Sequence, residues 1–510
     1  MKSGINMSER NRPIEHFDVL IIGAGLSGIG AACHLHSQHP GKCYAILEAR
    51  AEIGGTWSLF QYPGIRSDSD MYTFGYSFRP WRGAKAISDG DSILTYLRDT
   101  AREHGVHQHI HFQRRAVSAA WSSSETRWLV EVEVGTAKET TRYSCQFLYI
   151  CSGYYDYEDG YAPKFPEQES FQGPIVHPQH WPQDLEYTDK QIVVIGSGAT
   201  AVTLVPALVH KAAHVTMLQR SPSYITALPA KDVFAALLCK ILPLRLAYRI
   251  ARTKVILVTM FFYQLSRRYP NLVKRLIRRA QKKHLPAGYD FDTHFAPLYN
   301  PWDQRVCVAP DGDLFNTIAA GRASIVTDHV AQFTERGIRL KSGRTLPADI
   351  IVTATGLRLK AFGGIRLKVD DVVVNVGKTF TYNGVMLSNV PNMAFCVGYT
   401  NASWTLRADL SSRFVCRLLH YMDRHGYRQV GAKADDARLQ PPLPLLSFTS
   451  GYVLRSLDQF PKQSGKSPWK LRQNYLVDLF NLRLRSIDDG TLVFTGGPQS
   501  GTTRVPGVVR

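Results

Sequence analysis

The 510-residue sequence lacks paired cysteines. Its eight cysteines are scattered, with no Cys-x-x-Cys pair and no repeated spacing. A disulfide framework needs paired cysteines, and the common zinc sites need closely spaced thiols. The cysteine pattern therefore argues against both, so no metal site is expected, and it favours a reducing compartment.

Long hydrophobic runs are also missing. The start, MKSGINMSERNRPIEHFDVL, is polar and lacks the apolar core of a secretory signal peptide. The longest uncharged apolar run, residues 255–266, has 12 residues, whereas a helix that crosses a bilayer needs about 20. With 44% apolar and 11% aromatic residues, the chain is typical of a globular protein of roughly two to four domains. We expect it in the cytoplasm.

Acidic residues are absent from one stretch. The formal net charge is +19, and residues 233–289 contain 13 Lys or Arg and no Asp or Glu. Such a balance suggests an anionic partner, either nucleic acid or an anionic membrane. No nucleic-acid-binding motif accompanies the charge, so we expect no nucleic-acid partner.

The basic stretch has the spacing of amphipathic helices, and we place a helical insertion at 231–289. Leu272, Val273 and Leu276 share one helical face with Lys and Arg residues around it. Two interpretations are open for residues 233–284. They either make peripheral contact with an anionic membrane, or they form a helical cap over a substrate cavity with a solvated basic rim.

A glycine-rich turn joins the first predicted strand to a helix, with the pattern Gly23-x-Gly25-x-x-Gly28. These glycines allow a tight turn and let the backbone approach a pyrophosphate at a helix N-terminus. The next strand, CYAILEAR, contains Glu48 near its end, where a carboxylate binds ribose hydroxyls. Strand, helix and acid together predict an FAD-binding unit. The alternative is a glycine-rich turn in an ordinary α/β unit.

The same pattern recurs after the strand QIVVI, as GSGATA at residues 196–201. The following strand has Gln219 at the position of Glu48, and Arg220 and Ser221 come next. A base in place of the acid suits a 2′-phosphate, which a guanidinium can bind with two hydrogen bonds. The second unit is therefore predicted to bind NADPH. Two such units in one chain are typical of an oxidoreductase.

Thiols are missing where many flavoproteins with two dinucleotide-binding units carry them. Those enzymes have Gly-Gly-Thr-Cys followed closely by a second cysteine, whereas this chain has Gly54-Gly55-Thr56-Trp57. Without the thiol pair, disulfide reductase chemistry is effectively excluded. Molecular oxygen becomes the leading candidate for the electron acceptor.

Two longer patterns resemble the fingerprints of the Baeyer–Villiger monooxygenases, a class B flavoprotein family. GGTWSLFQYPGIRSD (residues 54–68) matches the longer fingerprint, and FQGPIVHPQHWP (residues 171–182) matches the short one. Runs such as YNPWDQR and VGYTNASWTL extend the similarity from about residue 15 to about residue 480. Within the family, these runs are most similar to the mycobacterial monooxygenases of the ethionamide-activating type.

The resemblance implies an α/β fold with two dinucleotide-binding, Rossmann-like domains. The FAD domain would be discontinuous, at residues 15–165 and 335–485, with the NADPH domain and its helical insertion placed between them at 166–334. Flexible segments are expected at 1–14 and 486–510.

The resemblance also implies which residues contact the cofactors. In the first unit and the longer fingerprint these are Gly23, Gly25, Ser27, Gly28, Glu48, Thr56, Trp57, Ser58, Leu59, Arg66, Ser67, Asp68 and, further on, Ala116. In the second unit they are Gly196, Ser197, Gly198, Ala199, Thr200, Ala201, Val202, Arg220 and Ser221.

A flavin reduced by NADPH can trap oxygen as a peroxide at its C4a carbon. This adduct persists only if it stays anionic and the protein excludes water from it. The resemblance implies that Arg305 supplies the fixed positive charge. Asp68 is expected to orient Arg305 while staying ionised beside it. Ketone-oxidising members usually have Lys before this arginine to help bind the 2′-phosphate, whereas this chain has Gln304. NADPH preference then rests more on Arg220 and Ser221.

The short fingerprint contains three prolines that prevent a helix, so His177 and His180 are not stacked as helical metal ligands. In the family this stretch connects the FAD and NADPH domains. We therefore predict a stiff joint in which His177 is a hydrogen-bonding pivot that couples domain rotation. The alternative is that Phe171 and Trp181 simply pack a linker.

Together these features predict an FAD-containing, NADPH- and O2-dependent monooxygenase. It would insert oxygen next to a ketone carbonyl to give an ester and would also oxygenate soft sulfur in a thioether or thioamide. One alternative is a flavin-containing monooxygenase that oxygenates only nitrogen or sulfur. Another is an NADPH oxidase with no organic substrate.

Overall fold

A computed structural model of the chain describes residues 13–434, 439, 441–446 and 448–496. The expected flexible N-terminal segment, 1–14, lies outside the described residues except for its last two. Two main sheets, of nine and five strands, organise the described chain.

The first part of the chain builds most of the larger sheet. Its elements are β1 (Glu15–Ile22), α1 (Leu26–Gln38), β2 (Tyr44–Leu47), α2 (Thr56–Leu59), α3 (Met71–Phe74), α4 (Gly90–Glu103), β3 (Ile110–His111), β4 (Arg114–Ser122), β5 (Arg127–Val134), β6 (Glu139–Ile150) and β7 (Tyr155–Gly160). The apolar end of β1 is buried because parallel strands β2 and β6 flank it. Strands β4, β5 and β6 form an antiparallel meander.

The middle of the chain builds the five-stranded sheet and the helical insertion. Its elements are β8 (Ile175–Val176), β9 (Gln191–Ile195), α5 (Ala199–Leu208), β10 (His214–Gln219), β11 (Ile225–Leu228), α6 (Val233–Ile241), α7 (Leu244–Arg268), α8 (Pro270–Lys282), α9 (Phe291–His294), β12 (Cys307–Pro310), α10 (Asp313–Ala319), β13 (Ala323–Thr327), β14 (Val330–Thr334), β15 (Gly337–Leu340), β16 (Thr345–Pro347) and β17 (Ile350–Thr353). The second sheet is parallel throughout, in the order β13-β10-β9-β17-β8.

The last part of the chain returns to the larger sheet. Its elements are β18 (Leu357–Leu359), β19 (Arg366–Val369), β20 (Val372–Val373), β21 (Thr381–Tyr382), β22 (Met386–Leu387), β23 (Met393–Phe395), α11 (Trp404–His425), β24 (Gln429–Ala432), β25 (Leu443–Pro444), α12 (Gly451–Leu454), β26 (Lys462–Gln463), α13 (Tyr475–Leu479) and β27 (Leu492–Thr495). Strand β19 pairs with β4, β23 pairs with β6, and α11 packs on α1. The predicted α/β fold, with a discontinuous first domain and an inserted second one, is confirmed.

Two predicted boundaries differ from the structure. Strand β17 pairs with β9 in the second sheet, so residues 335–353 lie with the second domain and not with the first. The meander β14–β16 leads the chain to this position, where β17 completes the parallel pairing of β9. The tail expected from residue 486 is ordered through β27, because β27 pairs with β24. Residues 497–510 lie outside the described residues.

The chain crosses between the two domains twice, and the crossings run side by side. Strand β7 on the way out pairs antiparallel with β18 on the way back. The Tyr161 N–H also donates to the Gly356 carbonyl at 3.0 Å. The two domains are therefore joined by a hydrogen-bonded ribbon and not by two independent linkers.

Candidate active site between the two glycine-rich loops

A cleft of about 1200 Å³ separates the two domains. The carboxyl ends of β1 and β9, with the glycine-rich loops that follow them, both line it. This is the edge at which parallel α/β sheets bind their ligands.

The first loop is fixed by contacts that only glycine permits. Gly23 has a φ of +101°, and a Cβ on Gly28 would lie 1.8 Å from the Gly23 carbonyl oxygen. Helix α1 begins after Gly25, with no side chain capping its N-terminus. Its first N–H groups are thus available to an anionic ligand in the cleft.

Glu48, just after β2, lies in the wall of the same cleft. One carboxylate oxygen accepts from the Ala24 N–H at 2.7 Å, and the other accepts from the Arg50 N–H at 2.9 Å. Burial raises the pKa of the Glu48 carboxyl, although these N–H groups and the Arg50 charge oppose the shift. The Glu48 carboxylate therefore holds the first loop against the end of β2 by a hydrogen bond, and it borders the space where a ribose would lie.

The second loop is more open. Gly196 has a φ of +143° and lies against the Ala354 carbonyl, but a Cβ on Gly198 would meet nothing within 4 Å. Helix α5 also begins without a side-chain cap. The Ser197 hydroxyl donates to the Ser221 carbonyl at 3.0 Å. The open space at Gly198 and the uncapped helix fit a pyrophosphate.

Arg220 and Ser221 border the second loop and are both exposed. Among the residues that the structure describes, no carboxylate forms an ion pair with Arg220. An unpaired guanidinium next to a hydroxyl is the donor set that suits a 2′-phosphate. Lys341 and His329 line the same cleft, and neither was among the predicted cofactor-binding residues.

Arg305 and Asp68 meet in the cleft between the two loops. The Arg305 Nε lies 3.6 Å from the Asp68 Oδ2. Burial lowers the pKa of Arg305, but Asp68 and the nearby tyrosines Tyr154, Tyr155 and Tyr452 raise it above its usual range. Arg305 thus keeps its charge at any working pH. The side chain of Arg305 is 41% exposed, so its cation is accessible from the cleft.

Asp68 is mostly enclosed, with 11% of its side chain exposed. Burial raises the pKa of the Asp68 carboxyl, against the opposing effect of Arg305 and Arg66. The expected ion pair is present, but desolvation outweighs the two cations in setting the pKa. Acidification would therefore weaken the ion pair at a higher pH than for an ordinary aspartate.

Arg66 links the two domains. Its guanidinium donates to both carboxylate oxygens of Asp313 at the start of α10, at 2.5 and 3.4 Å. Ser67 follows it in the chain, and the Ser67 hydroxyl accepts from the Ser69 N–H at 3.0 Å. Both residues line the cleft, as expected of cofactor-binding residues, but Arg66 already has a partner across the domain boundary.

Most of the predicted site residues line this one cleft: Gly23, Gly25, Ser27, Glu48, Thr56, Trp57, Leu59, Arg66, Ser67, Asp68, Ala116, Gly196, Ser197, Gly198, Ala199, Thr200, Arg220, Ser221 and Arg305. Four predicted cofactor contacts, Gly28, Ser58, Ala201 and Val202, do not. Gly28 packs against Gly23, and Ala201 and Val202 lie in the core of the second domain. Ser58 accepts from the Arg50 guanidinium at 2.7 Å.

His177 lies outside the cleft and contacts both crossings. Its Nε2 is 3.3 Å from the Gly356 carbonyl oxygen, while its Nδ1 accepts from the Gln179 N–H. The ring also occupies the space that a Cβ on Gly160 would need. Burial lowers the pKa of His177, so the ring is neutral at neutral pH. This placement suits the predicted pivot.

An aromatic group in the cleft was not predicted. Tyr154 stacks on Trp404, with ring centroids 5.0 Å apart, and the Trp404 Nε1–H donates to the Ser27 hydroxyl at 2.8 Å. The Tyr154 and Tyr155 hydroxyls are 3.2 Å apart. The tyrosine-rich run GYYDYEDGY (residues 153–161), which follows β6, could have indicated the tyrosines of this group from the sequence alone. Trp404 is distant in sequence and carries no such signal.

The described residues contain no group of ligands suited to a metal ion, and none of their helices is long and apolar enough to cross a membrane.

Comparisons with known proteins agree with this geometry. Residues 84–424 match the family model described as flavin-binding monooxygenase-like, and residues 21–85 match an NAD(P)-binding Rossmann-like domain. The chain is 53% identical to the FAD-containing monooxygenase EthA of Mycobacterium tuberculosis over 486 residues, which are 95% of this chain and 99% of that protein. It is 50% identical to the putative FAD-containing monooxygenase MymA of the same organism, over 95% of this chain and 99% of that one.

Among solved structures, an oxidised steroid monooxygenase bound to NADP has the same fold. It gives a TM-score of 0.69 at 20% identity, over 82% of this chain and 88% of that one. The similarity to flavoprotein monooxygenases predicted from the sequence fingerprints is confirmed. The chain belongs to the flavin-binding monooxygenase-like family.

Proposed function

We propose that this protein is an FAD-containing, NADPH- and O2-dependent monooxygenase of the Baeyer–Villiger type. Its substrates would be ketones, which it converts to esters, and compounds with soft sulfur, such as thioethers and thioamides. The observation that carries the proposal is the position of Arg305, a permanent cation in a cleft bordered by both glycine-rich loops.

FAD would be held by the first loop and NADPH by the second. The N-terminus of α1 and Glu48 suit the pyrophosphate and ribose of FAD, and Arg220 and Ser221 suit the 2′-phosphate of NADPH. Reduced FAD, when bound, supplies the chemistry that activates oxygen.

The residues of the chain would control charge and water around that chemistry. Arg305 stabilises the negative charge that develops on oxygen during transfer, because its guanidinium stays protonated. Asp68 holds the Arg305 side chain in place through their ion pair. The aromatic rings of Tyr154 and Trp404 keep bulk water from this part of the cleft.

One assay separates the proposed function from its alternatives. The FAD-loaded enzyme is given NADPH, ¹⁸O₂ and either a linear methyl ketone or an aryl methyl thioether, and the products are identified by mass spectrometry. Labelled ester from the ketone and labelled sulfoxide from the thioether support the proposal. Sulfoxide without ester would identify an enzyme that oxygenates only nitrogen or sulfur. Hydrogen peroxide without either product would identify an NADPH oxidase.

A further inference from the structure

The helical insertion exposes an unusual number of apolar side chains. On α6, Val233, Leu237 and Ile241 recur every four residues and are 80%, 54% and 69% exposed. This spacing places them on one face of the helix. Only Ala235 is buried among the residues of α6. The outer face of α6 is therefore an apolar surface in contact with solvent.

Helix α7 continues the pattern. Leu246, Ile250, Leu257 and Phe261 are exposed, and their spacing places them on one face of the helix. The next residue, Phe262, is also half exposed. Isolated exposed apolar residues are common, but rows of them on packed neighbouring helices mark a binding surface.

Helix α8 combines exposed apolar and cationic residues. Leu272 and Leu276 are exposed one turn apart, and Arg275 and Arg279 fall on the same face by their spacing. Val273 and Gln281 are buried on the side that packs on the protein. The outward face of α8 is thus both apolar and positively charged.

Most cations of the insertion are not neutralised by the protein. Arg252 is buried and donates to the Tyr72 and Gly75 carbonyls. Three more cations form ion pairs: Lys254 with Asp232, Arg267 with Asp303, and Arg278 with Asp292. For the remaining nine, the described residues provide no ion-pair partner: Lys240, Arg245, Arg249, Arg268, Lys274, Arg275, Arg279, Lys282 and Lys283.

We infer that the outer surface of α6, α7 and α8 docks on an anionic lipid bilayer. Apolar side chains enter the acyl region, while unpaired Lys and Arg contact the headgroups. The charge argues against a second copy of this chain as the occupant, because the same surface on both copies would bring like charges together. Docking goes beyond the proposed function and requires no turnover.

The position of α7 gives docking a consequence for the enzyme. The inner side of α7, at Ile256, Met260 and Tyr263, lines a small gap that also contains Tyr399 and Ala402. These last two residues line the main cleft as well. Helix α7 alone would then separate the bilayer from the gap that adjoins the cleft. An apolar substrate dissolved in the bilayer would therefore be close to the cleft.

Vesicle cosedimentation of the FAD-loaded full chain tests the inference. We expect the protein to sediment with phosphatidylglycerol vesicles at low salt, to be released as salt is added, and to stay in solution with phosphatidylcholine vesicles. The triple variant Lys274→Glu, Arg275→Glu, Arg279→Glu should bind the anionic vesicles about tenfold or more weakly. The triple variant Leu257→Ser, Phe261→Ser, Phe262→Ser should lose a similar factor.

Matched controls come from β19, β20 and the turn that follows. Arg366, Lys368 and Lys378 are exposed cations, and changing all three to Glu alters the net charge equally. Val372 and Val373 are exposed apolar residues, at 71% and 67%, and can be changed to Ser. Both controls should bind vesicles within twofold of the parent.

Three results would overturn the inference. The first is no sedimentation with anionic vesicles at low salt, and the second is an equal loss of binding in the control charge variant. The third is a change of oligomeric state, measured by sedimentation velocity, in the α7 variant while vesicle binding is unchanged. That result would assign the surface to contact between copies of the chain.

Discussion

The two glycine-rich loops have the same sequence pattern but different surroundings. In the first, Glu48 is 6% exposed and holds the loop through the Ala24 N–H, and Trp404 donates to Ser27 from 377 residues further along the chain. In the second, Gly198 opens onto free space and Arg220 is exposed. The enclosed loop suits a cofactor that stays bound through turnover, and the open loop suits one that exchanges.

The largest effect is expected at the enclosed loop, for Gly25→Val. A Cβ at Gly25 would lie in ordinary van der Waals contact with Gly55, 3.6 Å from its Cα and 3.9 Å from its N, so the protein should fold. The branched side chain would then fill the space of the pyrophosphate. The purified variant should therefore be colourless. Flavin absorbance and circular dichroism check this, with Gly41→Val as a control, because a Cβ on Gly41 meets nothing within 4 Å. A folded, yellow Gly25→Val protein would contradict the assignment of this loop to FAD.

The equivalent change in the open loop, Gly198→Val, should separate the two cofactors. FAD should remain bound, because the first loop is untouched. The Kd for NADPH should rise about 100-fold, equivalent to about 2.7 kcal/mol of binding free energy. Flavin reduction measured against NADPH concentration by stopped flow would show this. Loss of FAD together with NADPH would mean that the two loops do not act separately.

Replacing Arg220 by Asp should produce a smaller and more selective effect. Charge-assisted hydrogen bonds to a phosphate contribute about 1.5 to 3 kcal/mol, so NADPH should bind about 10- to 100-fold more weakly. NADH has no 2′-phosphate and should change by less than about threefold. An equal loss for both nucleotides would place recognition of the 2′-phosphate elsewhere, with Lys341 and His329 as the next residues to change.

The smallest effect is expected at the joint between the two domains. His177→Phe keeps an aromatic ring against Gly160 but removes the hydrogen bonds with Gly356 and Gln179. A hydrogen bond of this kind contributes about 1 kcal/mol, so kcat should fall by about threefold to tenfold with cofactor affinity unchanged. His180→Phe is the control, since His180 is exposed on the same turn and its hydrogen bond with the Glu158 carbonyl reaches only β7, the first crossing. Equal effects in both variants would argue against a specific pivot.

Local sequence predicted the parts of this site that depend on local geometry. The glycines of the first loop are required by backbone contacts within a few residues of Gly23 and Gly28, together with the end of β6. The strand, the turn and the helix of this unit are consecutive in the sequence, so the loop and Glu48 could be identified without a structure. The same holds for the second loop and its neighbouring Arg220.

Contacts between distant segments could not be predicted in this way. The stacking of Tyr154 on Trp404 and the pairing of Arg66 with Asp313 depend on how the two domains meet. The assignment of β17 to the second sheet depends on which strand still has an unpaired edge when the chain reaches β17, and that strand is β9. Neither residue type nor spacing carries that information, so the predicted domain boundary at residue 334 differs from the structure. The predicted cofactor contacts of the four residues outside the cleft, Gly28, Ser58, Ala201 and Val202, stay predictions.

The most direct test of the proposed function is the fate of oxygen in Arg305→Ala, within the cleft that both loops border. FAD binding should be nearly intact, and NADPH oxidation should continue with release of hydrogen peroxide. Loss of one preorganised charge costs about 3 to 4 kcal/mol of barrier, so oxygenated product should form about 10²- to 10³-fold more slowly. Arg305→Lys should restore only part of the rate, because an ammonium lacks the planar guanidinium and loses its proton more readily. Product formation in Arg305→Ala within threefold of the parent would contradict the role assigned to this residue.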